Sequence, residues 1–271
     1  MSLNIFVISL KRAAERRKKI VSQLNEKSCA YTVIDAVDSA ACEPEYLLSH
    51  VDQAAVIRNI GRPLAGPEIG CALSHRMAYK MIIDSGSHGA LILEDDVTLT
   101  PKFEMALSYF SQVGHQIEIR PEVYHFGALS RPYARNLVLR RRGAKSEGSG
   151  LCFREPVDRF SSEVWGTCGY YITKRAAECM LEPGKIVSVA DHWSLWMKRS
   201  NGKLYVAIPP PILHPEELSL SDIEKSRYIA RNQEYKSSHQ MIAGFYSRVV
   251  FRLRAKLMIY VIRPLARIVY E

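Results

Sequence analysis

No run of about 20 apolar residues occurs anywhere in the 271 residues, so no membrane-spanning helix is expected. The six cysteines, at 29, 42, 71, 152, 168 and 179, include no C-x-x-C pair, and no histidine stands at zinc-finger spacing. That excludes the common zinc modules and thioredoxin-type redox motifs. The opening "MSLNIFVISLKRAAERRKK" puts its short apolar part before its charges, the reverse of an export signal. Reduced thiols in a cytoplasm are therefore expected. Acidic residues are missing from 235 to 270, where seven basic ones stand: Lys236, Arg248, Arg252, Arg254, Lys256, Arg263 and Arg267. The net charge of +9 is thus largely a property of the tail, and it points to nucleic acid, an anionic membrane or phosphorylated substrates.

What is present suffices for a full core. Hydrophobic residues make up 47%, and 271 residues fit one α/β domain with an appendage. "NIFVISL" reads as a strand buried on both faces, followed by a helix over "RAAERRKKIVSQLNEK" and a second strand at "YTVIDAVD". This β-α-β start builds parallel sheets covered by helices. Residues 44–49 suggest a weak helix and "NIGRPLAGP" a loop. Residues 67–86 predict a strong helix with Ile69, Leu73, Met77, Met81 and Ile82 as its apolar stripe. Strands follow at "ALILEDDV" and "EVYHFGAL", with a helix opened by Pro101 between them. "NLVLRRR" and "GLCFREPV" look like antiparallel strands. "WGTCGYYITKRAAECML" runs from strand to helix, a helix starts after Asp191, and "LYVAIPPPILHP" is a late strand broken by prolines.

The chemistry concentrates where "ALILEDDV" ends in Glu94, Asp95 and Asp96. Ligands of open α/β sheets bind at the carboxyl ends of strands. Alternation sends Glu94 and Asp96 to one side and Asp95 to the other. Two carboxylates on one side suit a hard divalent ion, Mg²⁺ or Mn²⁺, bridging to a substrate diphosphate. The plainer alternative is a solvated acidic turn. On the preceding helix Cys71 and His75 share a face. Cys71 reads best as packing; His75 reads equally as a donor-touching residue or a satisfied buried histidine.

Four blocks, "FVISLKRAAERR", "GPEIGCALSHRMAYK", "ALILEDDV" and "WGTCGYYITKRAA", occur in this order. Together they resemble glycosyltransferase family 25, the bacterial lipopolysaccharide-type galactosyltransferases, over residues 4–215. The resemblance implies a GT-A type fold, a nucleotide-sugar donor and a divalent metal, with 94–96 in the place of a D-x-D motif. By that analogy Asp96 is the metal ligand, Glu94 reaches the ribose or a water on the metal, and Asp95 contacts the donor sugar or supports the turn. Ser74 and His75 would touch the donor or orient the acidic turn. Asp191 would take the acceptor proton, with helix capping as an equally good reading. His214 stands where some GT-A enzymes complete the metal site with a late histidine, although a surface histidine beside prolines is the plainer reading. Arg12, Arg16 and Arg17 follow the first strand, where a diphosphate would dock, and Arg12 is the one assigned to it. Trp193 and Trp196 read as core, and Gly166 and Gly169 as either close approach to a sugar or packing.

The expectation is therefore an α/β, GT-A type (Rossmann-like), mostly parallel sheet flanked by helices over 1–216. A basic amphipathic helical segment over 217–271 would contact an anionic membrane surface. The expected activity is inverting, Mn²⁺- or Mg²⁺-dependent transfer of a hexose, galactose from UDP-galactose. The acceptor would be a lipopolysaccharide or lipooligosaccharide core, and the enzyme peripheral on the cytoplasmic face of the bacterial inner membrane. A basic nucleic-acid-binding protein and an inactive transferase-like scaffold are the alternatives. The tail's arginines interleave with aliphatics rather than stacking aromatics, so nucleic acid is not the expected partner.

Overall fold

A computed structural model describes residues 3–128, 137–140, 145, 150–157 and 164–214. The compact unit that they build spans Met1–Glu217. The expected membrane-contacting helix over 217–271 lies outside the described residues.

The chain runs β1 (Asn4–Ser9), α1 (Ala14–Glu26), β2 (Thr32–Asp35), α2 (Pro44–Ser49), α3 (Gln53–Ile60), α4 (Gly66–Asp84) and β3 (Gly89–Glu94). It continues through β4 (Thr98–Leu99), α5 (Lys102–Ile117), β5 (Glu122–His125), β6 (Cys152–Arg154), β7 (Gly169–Thr173) and α6 (Lys174–Leu181). It closes with α7 (Trp193–Ser200), β8 (Lys203–Ile208) and β9 (Ile212–Leu213). Seven strands form one sheet in the order β2-β1-β3-β7-β5-β8-β6. β2, β1 and β3 are mutually parallel, as are β5 and β8, whereas β7 and β6 run antiparallel to their neighbours. This is the expected mostly parallel sheet flanked by helices.

Strand alternation divides the core into two layers. Phe6 and Ile8, Ala90 and Ile92, and Tyr170 and Ile172 face α4, α6 and α7. Ile5 and Val7, Leu91 and Leu93, and Tyr171 face α1 and α5. Residues apolar on both faces explain why β1 and β3 lack the alternating pattern of a half-exposed strand. Trp193 and Trp196 are buried in the α4-side layer, as core residues. Gly169 is packing too: a Cβ there would meet Ile212.

Two elements differ from the sequence expectation. The α4 stripe is rotated: Ile69, Ala72, His75, Ala78, Tyr79 and Ile82 are buried, while Met77 is 42% exposed. Large side chains mark more than one face of this helix, so periodicity alone did not single out the inward one. Small residues and hydrogen-bonding rings face the sheet instead. Helix α3 forms where the sequence suggested no element, between the weak helix and the loop, and the Asp52 side chain caps it by accepting from the Ala55 amide (2.9 Å).

Close approach fixes the position of α4. A Cβ on Gly70 would lie 2.7 Å from the Val37 carbonyl oxygen, a backbone atom that has little room to yield. Ser74, one turn on, donates to the Gly70 carbonyl (2.7 Å) and accepts from the Val37 amide (2.9 Å). Gly70→Ala should therefore cost about 1–3 kcal/mol, read as a lower urea midpoint with an unchanged m-value. A variant as stable as the wild type would show that this contact does not set the helix position.

Candidate active site

The carboxyl ends of β1, β3 and β5 and the amino end of β7 lie at one edge of the sheet. The side chain leaving each strand end follows the alternation of the residues before it. Glu94 follows Ala90 and Ile92 into the α4-side layer, where His75 of α4 and Thr167, ahead of β7, meet it. His75 Nε2 lies 3.3 Å from Glu94 Oε1, and the Thr167 hydroxyl donates a short bond to the same oxygen. On the far side of the ring, His75 Nδ1 is 2.7 Å from the Tyr170 hydroxyl, which is 2.8 Å from that of Tyr79. A carboxylate only accepts, so a neutral ring carries its proton on Nε2 and Nδ1 accepts from Tyr170. Burial would raise the Glu94 carboxyl, but the hydrogen bond and charge of His75, the Thr167 hydroxyl and nearby His214 prevail and hold it well below the ordinary range.

Asp95 goes the other way, onto the α1 face with Ser9, which follows Ile5 and Val7 on β1. Ser9 donates to Asp95 Oδ2 (2.7 Å), and Arg16 Nε on α1 lies 3.2 Å from Oδ1. Here burial is the largest influence and outweighs both, leaving the carboxyl above its usual value. Asp95 thus pins the acidic turn to β1 and α1. Because β3 ends at Glu94, the turn rather than strand alternation directs Asp96. Its Oδ2 lies 3.8 Å from His214 Nε2 just past β9. The late histidine and the last carboxylate, 118 positions apart, are brought together.

Other expected residues have more local partners. Ser74 directs its hydroxyl at the backbone of Gly70 and Val37. Glu68 accepts a forked pair of bonds from Arg62 (2.7 and 2.8 Å) and another from the Ala65 amide, fixing the start of α4. Arg12, just past β1, is half-exposed and bonds Asp38 (2.7 Å). Arg17 donates to the Ser9 carbonyl and to Asp35 (both 2.8 Å). Asp191 does not cap α7, whose N-cap is His192. It accepts instead from the Gly166 amide (2.9 Å). The Gly166 carbonyl bonds His125 Nε2 (2.8 Å) and Trp193 Nε1 (2.9 Å). Gly166 has φ +91°, a backbone conformation open to glycine and strained for other residues. The peptide turn 166–167 therefore joins Asp191 to Glu94.

Ser9, Tyr79, His125, Thr167 and Tyr170 carry no individual signal in the sequence, and Arg16, expected near a diphosphate, meets Asp95 instead. All but His125 lie inside the four quoted blocks, yet no spacing within a block marks them as partners of the acidic turn. Only the period-2 continuation of β1 into Ser9, read against Asp95, signals one of them.

The donor set suits a divalent ion. Two ligand atoms at about 2.1 Å from one ion lie about 3.0 Å apart at a right angle and about 4.2 Å apart when opposed, and the Asp96–His214 separation of 3.8 Å falls between. One carboxylate with one imidazole favours Mn²⁺ over Mg²⁺.

A family model described as glycosyltransferase family 25 (LPS biosynthesis protein) matches residues 2–193. Procollagen galactosyltransferase 2 of Homo sapiens is 31% identical over 126 residues, 45% of this chain and 20% of that protein. Lacto-N-neotetraose biosynthesis glycosyltransferase LgtB of Neisseria meningitidis serogroup B is 26% identical over 215 residues, 79% of this chain and 66% of that protein. Inactive glycosyltransferase 25 family member 3 of Homo sapiens is 31% identical over 112 residues, 36% of this chain and 17% of that protein. The match thus spans about a fifth of the human galactosyltransferase.

The lowered Glu94 carboxyl has a consequence for stability. Its ionised form stabilises the fold above the unfolded value, and that contribution is lost as the pH falls through the folded value. The stability difference between wild type and Glu94→Gln, from urea unfolding, should be widest near neutrality and shrink below about pH 4. A difference that grows in acid would contradict the assignment.

Proposed function

Because the chain belongs to glycosyltransferase family 25, we propose that it transfers a hexose, galactose from UDP-galactose, to a lipopolysaccharide or lipooligosaccharide core acceptor with inversion. The observation that carries this reading is the pairing of Asp96 with His214 at the carboxyl edge of the sheet, beside the ionised Glu94. The names of the bacterial and human relatives support the hexose and the oligosaccharide acceptor.

In this proposal Asp96 and His214 hold Mn²⁺ or Mg²⁺, which supplies positive charge against the departing diphosphate. Glu94, kept ionised, accepts from the donor ribose. His75 and Ser74 act behind it: His75 orients the Glu94 carboxylate, and Ser74 sets the spacing of α4. Asp95 holds the turn, and Arg12, just past β1, meets the diphosphate. Asp191 uses one oxygen to anchor Gly166, and no partner among the described residues bonds the other. That oxygen takes the acceptor proton while the hydroxyl oxygen attacks the anomeric carbon and the bond to the diphosphate breaks. A single displacement of this kind inverts the centre. The basic tail, residues 217–271, places the enzyme on an anionic membrane surface on the cytoplasmic side, next to a lipid-linked acceptor. The relative named as inactive favours a second reading, a scaffold that binds sugar nucleotide without transfer.

A screen of nucleotide sugars, with Mn²⁺ and with chelator, separates these readings. Transfer from UDP-galactose should require metal, and NMR should show the inverted anomer; retention would rule out the single displacement. Asp96→Ala and His214→Ala, with circular dichroism unchanged, should each lower kcat at least about 10²-fold. Full activity in either would remove that residue from the site. Asp191→Asn should lower kcat about 10²–10⁴-fold with little change in KM. A change confined to KM would assign Asp191 to anchoring Gly166 alone.

A further inference from the structure

The geometry points to a second cation site: we infer that Cys71, His75 and Glu94 bind a thiophilic divalent cation of the Zn²⁺ class, apart from the Asp96–His214 pair. One ligand atom of each residue lies within 4.8 Å of the others, on a half-buried cysteine, a buried histidine and a half-buried glutamate. Thiolate, imidazole and carboxylate are the ligands that zinc takes, whereas Mg²⁺ prefers oxygen alone. The spacing fits as well as the chemistry. A tetrahedral zinc with bonds of about 2.0–2.1 Å holds its nitrogen and oxygen ligands about 3.3–3.4 Å apart. His75 Nε2 and Glu94 Oε1 already stand 3.3 Å apart. Sulfur at about 2.3 Å from the same ion would lie about 3.6 Å from each. Cys71 is one helical turn from His75 on α4, so the two side chains share a face. Thr167 Oγ1 lies 3.9 Å from Cys71 Sγ and donates to Glu94.

The surroundings of His75 are those of a metal ligand. Its remote nitrogen is held by Tyr170, which is held in turn by Tyr79. Such a partner fixes ring orientation and tautomer. When an ion takes the Nε2 lone pair, the ring proton moves to Nδ1 and donates to Tyr170, whose hydroxyl then turns to Tyr79. Hydroxyl protons reorient, and the heavy atoms stay in place. Zinc takes cysteine as the thiolate, so binding requires the Cys71 thiol to give up its proton. Zinc-finger spacing conceals this site because its third ligand comes from β3, 19 residues beyond His75.

The inference does not depend on the transfer reaction, and its test uses neither donor nor acceptor. The full chain is stripped with chelator and titrated with Co²⁺, a spectroscopic stand-in for zinc. One equivalent should give a thiolate-to-metal charge-transfer band that added Zn²⁺ abolishes. The band should vanish in Cys71→Ser and persist when Asp96→Ala and His214→Ala are combined. Tyr170→Phe should keep the band while weakening Co²⁺ binding about 10–100-fold, as loss of a ligand's supporting bond does. Circular dichroism and urea unfolding establish that each variant is folded. No thiolate band in the wild type, or a band that survives Cys71→Ser, overturns the site. Either result leaves the metal-dependent transfer proposal standing, and loss of that proposal leaves this one standing.

Discussion

The carboxylate of Glu94 must stay charged at the end of a strand with no polar neighbour along its own length. β3 delivers it from a run of fully buried aliphatics. The donors therefore come from elsewhere: one from α4, one from the segment before β7. Much of the rest follows from that requirement. α4 must lie close enough for His75 to reach, which the close contact of Gly70 with the Val37 carbonyl permits. The ring must not swing, so two buried tyrosines stand behind it. The segment before β7 must present Thr167, so its Gly166 peptide is held from both sides.

Asp95 shows how the same physics gives neighbouring residues opposite characters. Both carboxylates leave the strand end, and both lose solvent. Glu94 meets enough donors to lower its proton affinity, whereas one hydroxyl and a half-exposed arginine do not offset burial for Asp95. The acidic triplet is thus not a single patch of charge. It is one turn with a fixing residue in the middle and two differently placed carboxylates on either side.

Much of this was readable in the sequence. Apolar runs of strand length gave β1 and β3, and the charge-bearing periodic segments gave α1, α4 and α5, because both signals are local. Position at a strand end was enough to select Glu94 and Asp96. The partners were not readable, because each depends on which strands become neighbours. β7 inserts antiparallel between β3 and β5, and only that order brings Thr167 and Tyr170 to Glu94 and His75. The inward face of α4 was misread for a related reason: its sheet-facing surface carries alanines and rings rather than the largest aliphatics. His214 lacked a local signal altogether, and the β4–β9 pairing is what returns it to Asp96.

The Gly166 peptide has consequences beyond holding the edge together. With its amide and its carbonyl both engaged by side chains, it has no backbone group left to offer a passing sugar. In the proposed transfer, discrimination between one hexose and another then falls to side chains that project over this frame. Such positions can change without disturbing the frame itself. Under that proposal the choice of sugar can change by substitution over the frame while the charged turn keeps its partners.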